Sequence, residues 1–258
     1  MCRWQRSLTW IALASLAPTG CVSVESRRCE LMSPHPANIT SAVFIADGAG
    51  NYQLLSKALR NLVQQEGKPI DVVTHEWSHG KHRILADYLH HAHARDQGKK
   101  LAERVREYRA LYPDRDVHLI GHSAGAVVVV AALEELEPGV VDRAVLLAPA
   151  LSAEYDVQPA LASVKQGVHV FCSPYDYVIL GFATAMLGTP DHRWTAMAGR
   201  MGFREPRQHP KLFQRLWRPV DVTLGNNGGH FGAYQPEYLR THVLPLFEPS
   251  AAFQSLTR

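Results

Sequence analysis

The stretch Val117-His118-Leu119-Ile120-Gly121-His122-Ser123-Ala124-Gly125-Ala126 decides how the rest of the chain is read. It opens as a short apolar run of strand length. Gly121-His122-Ser123-Ala124-Gly125 follows, and then an apolar helical stretch that reaches Leu136. Strand, tight turn and helix in that order make an elbow that presents the turn side chain. The turn residue holds strained backbone, and Gly121 and Gly125 leave out side chains that would collide there. The Ser123 hydroxyl is thereby lifted above the sheet. The Ala124 amide falls at the helix N-terminus, where unpaired donors can hold an anion. The plainer alternative is a glycine-rich strand-to-helix turn with Ser123 as N-cap.

Working outward, strands and helices alternate. Ala42-Val43-Phe44-Ile45 is a buried strand that ends in the turn Asp47-Gly48-Ala49-Gly50-Asn51. Leu54, Leu55, Leu59 and Leu62 then recur at helical spacing. Val72-Val73 marks a second strand. Leu101, Val105, Tyr108 and Leu111 share the face of a helix that leads into the central stretch. Ala144-Val145-Leu146-Leu147 and Val168-His169-Val170-Phe171-Cys172 are further strands. Val220-Asp221-Val222-Thr223 is expected to be the last one, followed by a helix over residues 236–247. This alternation predicts an α/β fold with a mostly parallel central sheet and helices on both faces.

Residues 178–219 break the pattern and are read as a small cap or lid-like insertion. Basic residues are interleaved there with Trp194, Phe203, Phe213 and Trp217. Such a mixture suits a lid or a lipid-facing surface. It also suits ordinary surface helices, which is the plainer reading.

The N-terminus has the pattern of an export signal over residues 1–21. Arg3 and Arg6 precede an apolar run over residues 8–17 that is too short to span a bilayer. Small residues before Cys21 resemble a bacterial lipobox, which would make Cys21 a lipidation site and place the protein in the cell envelope. Pro18 departs from the usual leucine there. Residues 22–38, with Pro34 and Pro36, read as a flexible tether, and residues 39–250 as the folded domain. Cys29 and Cys172 could pair outside the cytoplasm, but Cys172 in its apolar strand looks like core packing.

A net charge of +3, without a concentrated basic face, argues against a nucleic-acid binder. His79, His82, His90, His91 and His93 invite a metal hypothesis. The run lacks the His-Glu-x-x-His pattern and has no carboxylate at matching spacing, so no metal or other cofactor is expected.

A serine hydroxyl needs a base, and the base needs an acid to fix its tautomer. Asp176 lies in the turn Ser173-Pro174-Tyr175-Asp176 after a buried strand. His230 lies in Gly228-Gly229-His230-Phe231 after the last strand. Loops at the carboxyl ends of parallel strands share one side of the sheet, so Ser123, Asp176 and His230 can converge. Asp156 and Asp191 compete with Asp176, and His192 and His209 with His230, from poorer positions. His122 is expected to pack or to contact substrate beside the turn. A second anion donor should come from the turn after the first strand, and the Ala49 amide is the candidate.

These motifs together resemble the α/β-hydrolase fold superfamily, in the broad lipase and esterase group. The resemblance spans residues 39–248, with Asp47 standing where many members have histidine. It implies a serine hydrolase acting on a small-molecule ester or lipid through an acyl-enzyme on Ser123, with Ala49 and Ala124 forming the oxyanion hole. Alternatives that use the same residues are an acyltransferase, a thioesterase, or a non-catalytic binding protein of the same fold.

Overall fold

A computed structural model of the 258-residue chain describes residues 38–176, 196–204 and 209–248. Six strands form one sheet: β1 (Ser41–Ala46), β2 (Ile70–Thr74), β3 (Asp116–His122), β4 (Arg143–Leu147), β5 (Val168–Cys172) and β6 (Leu212–Leu216). Their order is β2-β1-β3-β4-β5-β6, and every pairing is parallel. Parallel strands need covered faces, and all six residues of β1 are fully buried.

The two faces take different helices because alternate side chains point opposite ways. Val43 and Ile45 of β1 share a core with Ile120, Val145 and Leu147. That core is closed by α1 (Leu54–Gln65) and by the helical segment 236–247, through Leu55, Leu59, Leu62, Tyr238, Leu239 and Phe247. Phe44 points the other way and meets the Tyr108 ring edge-on at 5.5 Å. Tyr108 belongs to α3 (His91–Leu111), which packs on α4 (Gly125–Glu135). A side chain at Gly98 would run into Ala131 and the Val128 carbonyl, so α3 and α4 approach closely at this point. Two shorter helices are α2 (Ile84–Leu89) and α5 (Gln158–Ser163). The four-residue α6 (Ala198–Met201) is anchored by the buried Met197 and Ala198.

Two expectations need correction. Val220-Asp221-Val222-Thr223 is not a strand but part of a 3-10 helix, Pro219–Leu224. Pro219 offers no amide to a sheet ladder. The Asp221 carboxylate takes the Arg218 amide at 2.9 Å and the Arg215 guanidinium at 2.6 Å, which stabilises a helical turn. Val220 and Val222 are left more than half exposed. The sixth strand is instead β6, inside the stretch read as an insertion. It lies at the sheet edge with exposed residues among its five, so it carries no apolar signature. Within that stretch, 178–195 and 205–208 lie outside the described residues, as do Cys21 and Cys29. Cys172 is a buried free thiol in β5. Helix 236–247 is a chain of α, π and 3-10 turns. Among the described residues no helix is long and apolar enough to cross a membrane.

Candidate active site

The strand order reverses direction at β1. The chain steps to β2 on one side and then crosses to β3 on the other. The loops leaving β1 and β3 therefore part company, and a crevice opens beyond their carboxyl ends. A cavity of about 140 Å³ lies there, lined by Gly48, Ala49, His122, Ser123 and His230, with walls from Tyr52, Leu54, Ile84, Phe231 and Tyr234.

Ser123 sits on the elbow between β3 and α4 with a φ of 53°. Its amide donates to the Leu147 carbonyl at 3.0 Å, and its own carbonyl accepts from the Ala126 and Ala150 amides, each at 3.1 Å. These three bonds hold a left-handed serine in place. A Cβ on Gly125 would overlap the carbonyl oxygens of Ala46 and Asp47, and one on Gly121 would press on Ala126. Both glycines are thus demanded by backbone packing around the turn.

His230 is 7 % exposed, and its Nδ1 lies 2.6 Å from an Asp176 carboxylate oxygen. Asp176 is buried in the turn after β5, where its amide donates to the Ser173 carbonyl. The structure thus brings Asp176 and His230 into contact, and Ser123 and His230 to one cavity. The Ser123 hydroxyl and the His230 ring are not hydrogen-bonded here. Such contacts are often long without substrate and tighten when it binds. The competitors are placed otherwise. The Asp156 carboxylate accepts the Gln158 amide at 2.9 Å, at the start of α5. His209 Nδ1 accepts the Lys211 amide at 3.1 Å. Asp191 and His192 lie outside the described residues.

His122 serves the site from behind. Its Nε2 is 3.2 Å from the His230 carbonyl oxygen, and its ring lies 4.6 Å from the His230 ring. Burial, reinforced by the neighbouring His230, pushes its pKa well down. The neutral ring donates from Nε2 and so braces the loop that carries His230.

Ala124 follows Ser123 at the start of α4, and Ala49 lies in the loop after β1 and lines the cavity. Among the described residues neither amide meets a protein acceptor, whereas the Gly50 amide is taken by Asp87. Asp47 also lines the cavity, with its carboxylate engaged at the start of α1. Its carboxylate accepts the Leu55 and Ser56 amides at the start of α1 at 2.8 and 3.3 Å, and the Ser56 hydroxyl as well. Its carbonyl accepts the Trp77 indole at 2.7 Å. Burial pushes the Asp47 pKa up, against these hydrogen bonds. Asp47 entered the sequence reading only as a residue of the turn after the first strand; its contacts with α1, and the parts of Trp77 and Asp87, did not. A carboxylate that accepts helix amides eight and nine residues away leaves no local pattern.

The histidine-rich run packs beside this loop. The rings of His79 and His93 are 3.9 Å apart, His79 Nε2 meets His90 Nδ1 at 3.1 Å, and His93 Nε2 meets the Trp77 carbonyl at 2.6 Å. Among the described residues no group of three or more histidine, cysteine or acidic side chains is arranged to hold a metal ion.

The sequence matches the profile of the alpha/beta hydrolase family over residues 4–242. No curated protein matches it. Similar solved structures include XC6422 from Xanthomonas campestris, an a/b serine hydrolase without lid. It is 17 % identical, with 81 % of this chain and 85 % of that one covered, at a TM-score of 0.46. The esterase Pf2001 from Pyrococcus furiosus is 12 % identical, with coverage of 78 % and 82 % and a TM-score of 0.45. Carboxylesterase CesB from Bacillus subtilis is 14 % identical, with coverage of 82 % and 84 % and a TM-score of 0.43.

Proposed function

This chain belongs to the alpha/beta hydrolase family, and from that premise we propose that it is a serine hydrolase cleaving carboxylic esters through an acyl-enzyme on Ser123. One observation carries the reading. A serine held at positive φ shares its cavity with a histidine whose far nitrogen is hydrogen-bonded to a buried aspartate.

The roles follow from the geometry. The Asp176 carboxylate accepts a hydrogen bond from the Nδ1–H of His230, which leaves the Nε2 lone pair for the cavity. His230 takes the Ser123 proton as the oxygen attacks the acyl carbon. The Ala124 and Ala49 amides receive the oxyanion of the tetrahedral intermediate. The intermediate collapses when His230 returns the proton to the leaving alcohol. Water then adds to the acyl-enzyme by the same route, with the proton passing through His230 and back to Ser123. The walls made by Leu54, Ile84 and Phe231 favour an ester with an apolar group on that side. Export with lipid attachment at Cys21 is part of the proposal and rests on the N-terminal pattern alone.

A fluorophosphonate probe tests both parts. Wild-type protein takes the label and Ser123→Ala does not; an unlabelled wild type, or equal labelling of the variant, rejects the serine hydrolase. In cells the label sediments with membranes, and Cys21→Ser releases it. A label that stays soluble in the unaltered protein rejects the anchor and leaves the chemistry standing.

A further inference from the structure

Asp87 is 2 % exposed on α2, and its carboxylate is engaged by residues outside that helix. One carboxylate oxygen accepts the Gly50 amide at 2.7 Å and the Ser78 hydroxyl at 2.5 Å. The other accepts the His79 amide at 2.8 Å and lies 2.9 Å from His79 Nδ1. Burial alone would raise its pKa, yet the bonds from Ser78, Gly50 and His79 outweigh that and hold the carboxyl below its ordinary value. The group is thus an ionised hub joining three segments of chain.

Its most consequential partner is Gly50, at φ 89°. The Gly50 carbonyl accepts the His82 amide at 3.1 Å, so both polar groups of this residue are tied to the segment that carries α2. A Cβ at Gly50 would meet the Tyr52 ring at 2.7 Å and the Ile84 side chain at 2.9 Å. A peptide unit is planar, so fixing the Gly50 amide fixes the plane that begins at Ala49. The Ala49 amide belongs to the preceding plane, so this anchor acts on it by holding the far end of the turn, across the φ and ψ of Ala49.

We propose that Asp87 is a positioning residue that holds the Gly48-Ala49-Gly50 turn in the shape that receives the oxyanion. The inference rests on the reading of Ala49 as an oxyanion donor. It assigns to α2 a part in the reaction although no atom of Asp87 touches substrate.

The test is Asp87→Asn, assayed with a p-nitrophenyl ester. The neutral amide offers one acceptor oxygen where the carboxylate offers two and cannot hold Gly50 and His79 together, so the tie between the Gly48-Ala49-Gly50 turn and the segment that carries α2 is loosened whichever way the amide faces. An oxyanion donor is worth about 10²–10³ in kcat, and a misplaced one should cost at least about tenfold. The expected result is that loss in kcat, a KM within about threefold, an equal loss in the rate of fluorophosphonate labelling, and a melting temperature close to wild type. Ser78→Ala leaves the Gly50 contact in place and should keep kcat within about threefold. A folded Asp87→Asn with kcat within threefold overturns the proposal, as does a loss of kcat matched by an equal rise in KM. If Asp87→Asn does not fold, Asp87→Glu carries the same expectation, and failure of both to fold makes the carboxylate a stability element only and overturns it too. An unlabelled, inactive wild type would instead reject the function proposed above, which keeps the two failures apart.

Discussion

Five described residues other than glycine have positive φ, namely Asn51, Gln53, His82, Ser123 and Ala148. Ser123 and Gln53 line the cavity, and Asn51 lies between Gly50 and Tyr52 on the same loop. Left-handed backbone costs a side-chain-bearing residue on the order of 1–3 kcal/mol and persists only where its surroundings enforce it. At Ser123 the enforcement is explicit: three backbone bonds, and two glycines that no larger residue could replace without overlap. The same scale gives a direct test of the acid. Asp176→Asn keeps the shape of the side chain but can donate to His230 Nδ1, which moves the ring proton to Nε2 and stops the ring from accepting one from Ser123. In a serine protease of the same logic that change costs about 10⁴ in kcat. The expectation here is a loss of about 10³–10⁴ in kcat with little change in KM, read by steady-state hydrolysis of p-nitrophenyl acetate. A variant within tenfold of wild type would remove Asp176 from the mechanism.

At the scale of elements, α2 does two things at once. Asp87 faces inward to the loop after β1, while Ile84 lines the cavity and is 47 % exposed. An exposed position tolerates a charge without harm to the fold, so Ile84→Asp isolates the wall. Burying an aliphatic side chain against a ligand is worth about 1.5 kcal/mol or more, which is about tenfold in affinity. Ile84→Asp should raise KM for p-nitrophenyl hexanoate by about that factor and leave kcat nearly unchanged. An unaltered KM would show that the acyl and alcohol groups lie elsewhere. This helix was hidden from the sequence because Leu85 and Leu89 are exposed and its flanks are polar and histidine-rich. The edge strand β6 was hidden for a related reason: buried on neither face throughout, it has no apolar run, whereas Val220 and Val222 mimicked one from a 3-10 helix. The central strands were legible because both their faces are buried. Ser123 and Asp176 were placed by β3 and β5, since chain order after a strand end translates into position at the sheet's edge, whereas His230 was placed after residues 220–223, which lie in a 3-10 helix, and reaches the cavity from the loop beyond it. The bracing contacts of Asp47, Asp87 and His122 could not be placed this way, because each joins segments that only folding brings together.

For the molecule as a whole, the sheet that positions the site also buries histidines that cannot easily be charged. His118 on β3 is fully buried, with its ring 5.4 Å from that of Phe247 and neither nitrogen bonded among the described residues. Burial, with help from Arg143 and Arg109, pushes its pKa down to about 3. Burial and Arg104 push His75 down to about 4, and burial and Arg143 do the same to His169. A histidine whose pKa falls on folding binds fewer protons in the native state than in the unfolded one. Its contribution is therefore complete above the unfolded value of about 6.5 and declines as pH falls towards the folded value, by about 1.4 kcal/mol per pH unit for each such group. At pH 5, His118 alone should have cost the native state about 2 kcal/mol. His118→Phe removes the titration and places a second ring against Phe247. Urea unfolding at pH 7 and pH 5 should show the wild type losing about 2 kcal/mol more than the variant between the two. Asp47, which burial pushes up, titrates in the opposite sense in both proteins and cancels in the comparison. Equal losses in wild type and variant would mean that His118 is protonated in the folded sheet, or that water reaches it, and the acid sensitivity would then have to come from another part of the core.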